Sequence, residues 1–190
     1  MTTSLRFCLW AWLVLLPLPC LAETADHGFA IIRAELKPDA PEGGLSLDAD
    51  IDYRFSEPAI DALRNGVSLT LILRLKIKQE RDWWWDTTLA DEDHAFRVRY
   101  HALSKLYQII DGNDEAPRNF ASLNALLEAM GAVRSLPVAQ GLILAQGEHY
   151  RASLTVGLDI EALPLPLRPV AYATSAWYLT SPVYKWTFAN

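Results

Sequence analysis

The chain reads as mainly β, a two-sheet antiparallel sandwich in the broad immunoglobulin-like class with two short helices. Three observations predict it. Apolar and polar residues alternate over residues 45–55, 67–77 (interrupted only by Ile72) and 150–160, the pattern of strands that bury one face and wet the other. Helical spacing is confined to two short stretches, near residues 57–64 and 120–130. Turn-forming clusters and prolines separate the apolar runs at short intervals, as they do in sheets joined by hairpins and arches.

Residues 1–22 read as a secretory leader. Arg6 and the terminal amine form a positive start, Phe7 to Leu18 an apolar stretch, and Cys20-Leu21-Ala22 a cleavage site before Glu23. The apolar stretch ends in Pro17 and Pro19 and falls short of the roughly 20 residues that span a bilayer. An uncleaved anchor is therefore not the expectation. Lipidation at Cys20 would require a small residue directly before it, and Pro19 stands there. The expected product is a periplasmic protein, one domain over residues 23–190, that meets the membrane only during export.

That domain has 168 residues, enough for an apolar core. It carries 16 Lys+Arg against 23 Asp+Glu, a balance that disfavours nucleic acid and electrostatic adhesion to anionic lipid. Both cysteines, Cys8 and Cys20, lie in the leader. The rest of the chain thus has no disulfide, thiolate metal site or cysteine nucleophile.

The first strand places Leu45, Leu47, Ala49, Ile51, Tyr53 and Phe55 on one face and Asp48, Asp50 and Asp52 on the other. Ser56 and Pro58 start a short helix, which Asn65-Gly66 ends. The next strand aligns Val67, Leu69, Leu71, Leu73, Leu75 and Ile77 opposite Arg74, Lys76 and Lys78. Its parity continues through Trp83 and Trp85 to Leu89, which suggests one long strand kinked at residues 79–82. Asp91-Glu92-Asp93 reads as a turn, and Phe96, Val98 and Tyr100 as a further strand. The shift of parity after Tyr100 to Leu103, Tyr107 and Ile109 reads as a bulge. Phe120, Leu123, Leu127 and Met130 give a helix stopped by Gly131. Residues 138–145 read as a strand, as do 150–160, which follow. Pro164, Pro166 and Pro169 predict an extended connector, and residues 177–188 two strand pieces broken at Ser181-Pro182. The total is about eight strands.

Candidate chemistry is sparse. The acidic row Asp48, Asp50, Asp52 and the basic row Arg74, Lys76, Lys78 are expected to face each other across paired strands as a salt-bridged wet face. Strand spacing holds alternate carboxylates about 7 Å apart, poorly suited to the oxygen cage calcium needs. His27, His94, His101 and His149 share no metal-ligand spacing, and no nucleophile elbow, zinc-protease, P-loop or dinucleotide motif occurs. No cofactor, no metal and no catalytic residue is expected. The exception to this plainness is Trp83-Trp84-Trp85. On a strand these indoles point to both faces, so they are the candidate surface for a partner or a carbohydrate-like ligand.

Several stretches resemble one family: Ala62-Leu63-Arg64-Asn65-Gly66-Val67, Asp82-Trp83-Trp84, Tyr100-His101-Ala102-Leu103-Ser104, Leu158-Asp159 with the Leu163 to Arg168 run, and Trp177, Ser181 and Trp186. Together they are similar to the exported bacterial proteins grouped as domain-of-unknown-function family 4390, also labelled proline-rich signal peptide proteins. Trp85 extends the family's tryptophan pair. The resemblance implies a Gram-negative envelope protein and, from frequent gene neighbourhood, a periplasmic partner for a membrane sensor kinase. It carries over no catalytic role. The expected function is a non-enzymatic protein-binding module. The alternatives are a small-ligand or glycan-binding module using the tryptophans, and an envelope-polymer hydrolase using acids such as Asp48, Asp52 or Asp159.

Overall fold

A computed structural model describes residues 27–38, 43–79, 87–112 and 116–189. Among these residues nine strands lie in two antiparallel sheets, the sandwich-like arrangement expected. The smaller sheet orders β1 (Gly28–Pro38), β2 (Leu45–Arg54) and β7 (Ala132–Val138) with β2 central. The larger sheet runs β6 (Arg118–Phe120), β5 (Leu106–Asp111), β4 (Thr87–His101), β3 (Leu69–Gln79), β8 (His149–Leu158), β9 (Tyr184–Ala189).

The alternating strands dictate the core. Leu47, Ala49, Ile51 and Tyr53 from β2 belong to one buried cluster with Leu69, Leu71, Leu73, Leu75 and Ile77 of β3 and Leu154 and Val156 of β8. β3 is central in its sheet, and those five inward side chains are fully buried. β1 packs across onto β8 and β9. Phe29, Tyr53 and Phe55 meet edge to face, with ring centroids of the Phe29–Tyr53 pair 5.0 Å apart. Glu92, on the inward face of β4, reaches the other sheet: its two carboxylate oxygens accept from the Ala139 N–H at 3.0 and 3.1 Å.

Helix α1 (Glu57–Arg64) follows β2 and buries Ala59 and Leu63. Ser56 precedes it, but its hydroxyl makes no cap and has no partner among the described residues. Helix α2 (Leu123–Gly131) is capped by Ser122, whose Oγ accepts from the Ala125 N–H. It packs on β2, β5, β6 and β7, closing the sandwich between the two sheets. At its end Gly131 lies against β2 so closely that a Cβ there would stand 2.3 Å from the Ile51 carbonyl oxygen.

Several sequence expectations need correction. β3 and β4 are not one kinked strand: Gln79 pairs with Thr87 antiparallel, so the chain reverses between them. Asp91, Glu92 and Asp93 lie within β4 and make no turn, because Lys76 and Arg74 of β3 stand directly opposite Asp91 and Asp93. The parity shift after Tyr100 is a hairpin turn, with Tyr100 paired to Tyr107 and Lys105 at φ 55°. Phe120 belongs to β6, so α2 begins three residues later than its apolar spacing suggested.

Residues 139–145 form no strand; the strand is β7, in front of them. Its Pro137 is tolerated because β7 is an edge strand. The proline segment is not extended throughout. A 3-10 turn (Ile160–Ala162) precedes it, and helix α3 (Arg168–Ala173) takes up its end, with Pro169 in the first turn of α3. Residues 175–177 form another 3-10 turn, and Thr180 makes a single bridge to Gly157 before β9. The described residues therefore include a third, six-residue helix beside the two expected.

Candidate functional site

The tryptophan triad Trp83, Trp84 and Trp85 and the leader 1–22 lie outside the described residues. What is fixed is the frame of the triad: it falls in the connection between the paired strand ends Gln79 and Thr87.

The two charged rows do not face each other. They lie on different sheets, and Asp48, Asp50, Asp52, Arg74 and Lys76 each find a partner within their own sheet, whereas Lys78 makes no ion pair among the described residues. Asp48 receives the Lys37 ammonium at 2.6 Å and the Ser135 N–H at 2.7 Å. Asp50 sits between Arg134 and Arg33, the latter at 3.2 Å, and Asp52 lies 3.3 Å from Arg54. On the larger sheet Arg74 grips both oxygens of Asp93 at 2.7 Å, and Lys76 meets Asp91 at 3.1 Å. This is ordinary cross-strand chemistry.

These pairs fix protonation. The Lys37 ammonium, then the Ser135 N–H, hold the Asp48 carboxyl below the usual range; Arg134 does so for Asp50, and Arg74 for Asp93. Depressed carboxylates stabilise the folded state above their unfolded pKa, and that contribution fades as pH falls through the folded one. The thermal midpoint should therefore drop progressively below about pH 4, and the drop should shrink at high salt for the exposed pairs of Asp50 and Asp93. A midpoint that rises on acidification would contradict the pairing.

The hydrolase trio is not assembled. Asp48 and Asp52, four residues apart on one strand, are separated by about 13 Å along it, against the roughly 5–9 Å that glycosidase carboxylates need. Asp159 follows a strand of the other sheet, where its side chain accepts from the Glu161 N–H at 2.9 Å. Of the histidines, His101 contacts Gln108 at 3.1 Å in a chain that continues to Asn119. His94 lies 3.5 Å from Glu92. Among the described residues no group of three metal-ligating side chains could hold an ion.

What the structure displays instead is surface that sequence reasoning passed over. Leu165, Val170, Tyr172, Tyr178 and Val183 are each more than half exposed, and all fall within one stretch after β8. That stretch is one packed unit: α3 rests on both 3-10 turns, Tyr172 donates to Glu161, and the Arg168 guanidinium donates to the Leu163 carbonyl at 2.8 Å. Trp177, Leu179 and Leu163 turn inward and anchor it to the core. A second feature is a groove of about 460 Å³ between β2 and α2, with Ile32, Asp52, Leu127 and Glu128 among its lining residues. Ile32 is thrown outward there by the bulge between Ile31 and Arg33. Alternation along residues 165–183 is too irregular to have marked the first surface, and its prolines masked it as a linker.

Among the described residues no helix is long and apolar enough to cross a membrane. A family model described as a domain of unknown function, DUF4390, matches residues 26–187. No curated protein and no solved structure matches the chain.

Proposed function

The chain belongs to the DUF4390 family, and on that premise we propose that it is an exported, non-enzymatic binding protein of the cell envelope that engages another protein. The observation that carries this reading is the exposure of Leu165, Val170, Tyr172, Tyr178 and Val183 within one packed stretch. Large apolar side chains gathered on one exposed unit are costly in water and mark interaction surfaces, and tyrosine is enriched where proteins meet. The unit is held rigidly by Trp177 and Leu179, so little order would be lost on binding. The tryptophans between β3 and β4 add a second aromatic element to this reading, and a membrane sensor kinase is the partner that the family context suggests.

The test has two parts. Removing residues 1–22 should leave the protein in the cytoplasm, whereas the full chain should be released with the periplasmic fraction. A photoreactive residue at Tyr178 should then give a discrete protein adduct in cells, while one at exposed Asp61 on α1 should not. Equal labelling at both positions, or none at Tyr178, would overturn the binding reading. Retention of the full chain in the cytoplasm would overturn export. A glycan ligand, the second reading, rests on the tryptophans and would show as a blue shift of their fluorescence with envelope polysaccharide.

A further inference from the structure

We propose that the β4–β5 hairpin end is a docking site for an anionic phospholipid surface. The turn between these strands, residues 102–105, carries Leu103 with its side chain wholly exposed (104%). A pocket of about 550 Å³ beside it is lined by Arg64, Gly66, Arg99, His101 and Leu103, among others. Helix α1 packs on β4, which brings Arg64 at the helix end to Arg99 on the strand. Lys105 closes the turn and adds a further cation.

Many strand cations are paired, and this end gathers several that are not; other unpaired cations, such as Lys78 and Lys185, stand on separate strands. On the faces of β1, β2, β3 and β7, Arg33, Lys37, Arg54, Arg74, Lys76 and Arg134 all meet carboxylates. Arg97, Arg99 and Lys105 have no acidic partner among the described residues, and Arg64 has only a loose contact to Asp61 at 3.7 Å. Arg97 and Arg99 alternate on one strand face, about 7 Å apart. Cations held together without counter-charge create a local positive potential that an anionic surface relieves. Screening limits that potential to about 8 Å, so the paired acids elsewhere and the chain's net charge of −6 do not cancel it. A phosphate between Arg64 and Arg99 answers the charge. The apolar part is one leucine at the extreme of a hairpin, too little for the centre of a protein interface but suited to shallow insertion between lipid headgroups. This inference stands apart from the protein-binding reading, which uses the other surface.

The experiment is co-flotation of the exported protein with phosphatidylglycerol-containing vesicles and, in parallel, with pure phosphatidylcholine vesicles. Binding should be confined to the anionic vesicles and should weaken with salt. Arg64→Gln and Arg99→Gln should each weaken it about fivefold, and Leu103→Ser about tenfold. All three positions are exposed, and an unchanged thermal midpoint verifies the fold. Equal binding to neutral vesicles, no vesicle binding, or binding indifferent to these three substitutions would overturn the proposal. So would displacement by inorganic phosphate beyond that by chloride at equal ionic strength, since the ligand would then be free phosphate. Binding of polyglutamate in place of vesicles would assign the patch to an acidic protein.

Discussion

Truncating Leu73 to alanine should lower the unfolding free energy by about 2–5 kcal/mol, the largest loss expected from a single apolar deletion in this protein. Leu73 lies midway along β3, with His94 of β4 on one side and Val156 of β8 on the other, and its side chain is fully buried. Neighbours on both flanks are fixed by the ladder, so the cavity cannot collapse by moving one strand alone. Denaturant titration of the two proteins measures the difference, provided that the slope with denaturant is unchanged. A loss below about 1 kcal/mol would mean that β3 is not the centre of the sandwich.

Gly131→Ala should be nearly as damaging, for the opposite reason. Here an added atom, not a missing one, breaks the packing: the new methyl would lie 2.3 Å from the Ile51 carbonyl oxygen, far inside any van der Waals contact. The methyl is fixed to the α2 backbone and the oxygen belongs to the β2 backbone, so relief requires α2 to move off β2. Overpacking of this kind costs about 1–3 kcal/mol. Because α2 forms one wall of the 460 Å³ groove, the shift should also alter the environment of Leu127, visible as changed methyl resonances. Ser122→Ala, which removes only the cap at the far end of α2, should leave that contact in place.

The strands that alternate cleanly were legible because each buries one face against the same core. Leu45 to Tyr53, Leu69 to Ile77 and Tyr150 to Leu158 all occupy the positions their period predicts. β1 escaped notice because the bulge at Ile32 interrupts its alternation, and β7 because Arg134, Ser135 and Pro137 dilute its apolar content. The acidic run Asp91 to Asp93 looked like a turn because local propensity ignores the opposite strand; Arg74 and Lys76 stabilise it within the sheet. Pairing of the charged rows failed for a related reason. Alternation reveals which face a residue takes but not which strand lies beside it, and the acids of β2 found Lys37, Arg33 and Arg134.

The candidate surface was less legible than the fold. Tryptophan clustering is visible in any sequence, whereas exposure of Tyr178 or Val183 depends on Trp177, Leu179 and Ser181 turning the chain inward between them. Ser181 is buried, its hydroxyl accepting from the Val156 N–H at 3.1 Å and its own N–H donating to the Val156 carbonyl at 2.8 Å. That double bond to β8 makes the segment part of the sandwich while its alternate side chains project outward.

The most direct measurement is the yield of the cellular protein adduct after charging the surface, using a photoreactive residue at Val170 with Tyr178→Asp and Val183→Asp together. Both substituted side chains are exposed, at 62% and 53%, so the thermal midpoint should stay within a few degrees of the parent. Adduct formation should fall to background while the protein stays folded and exported. An adduct formed in undiminished yield would show that residues 165–183 are not where the partner binds.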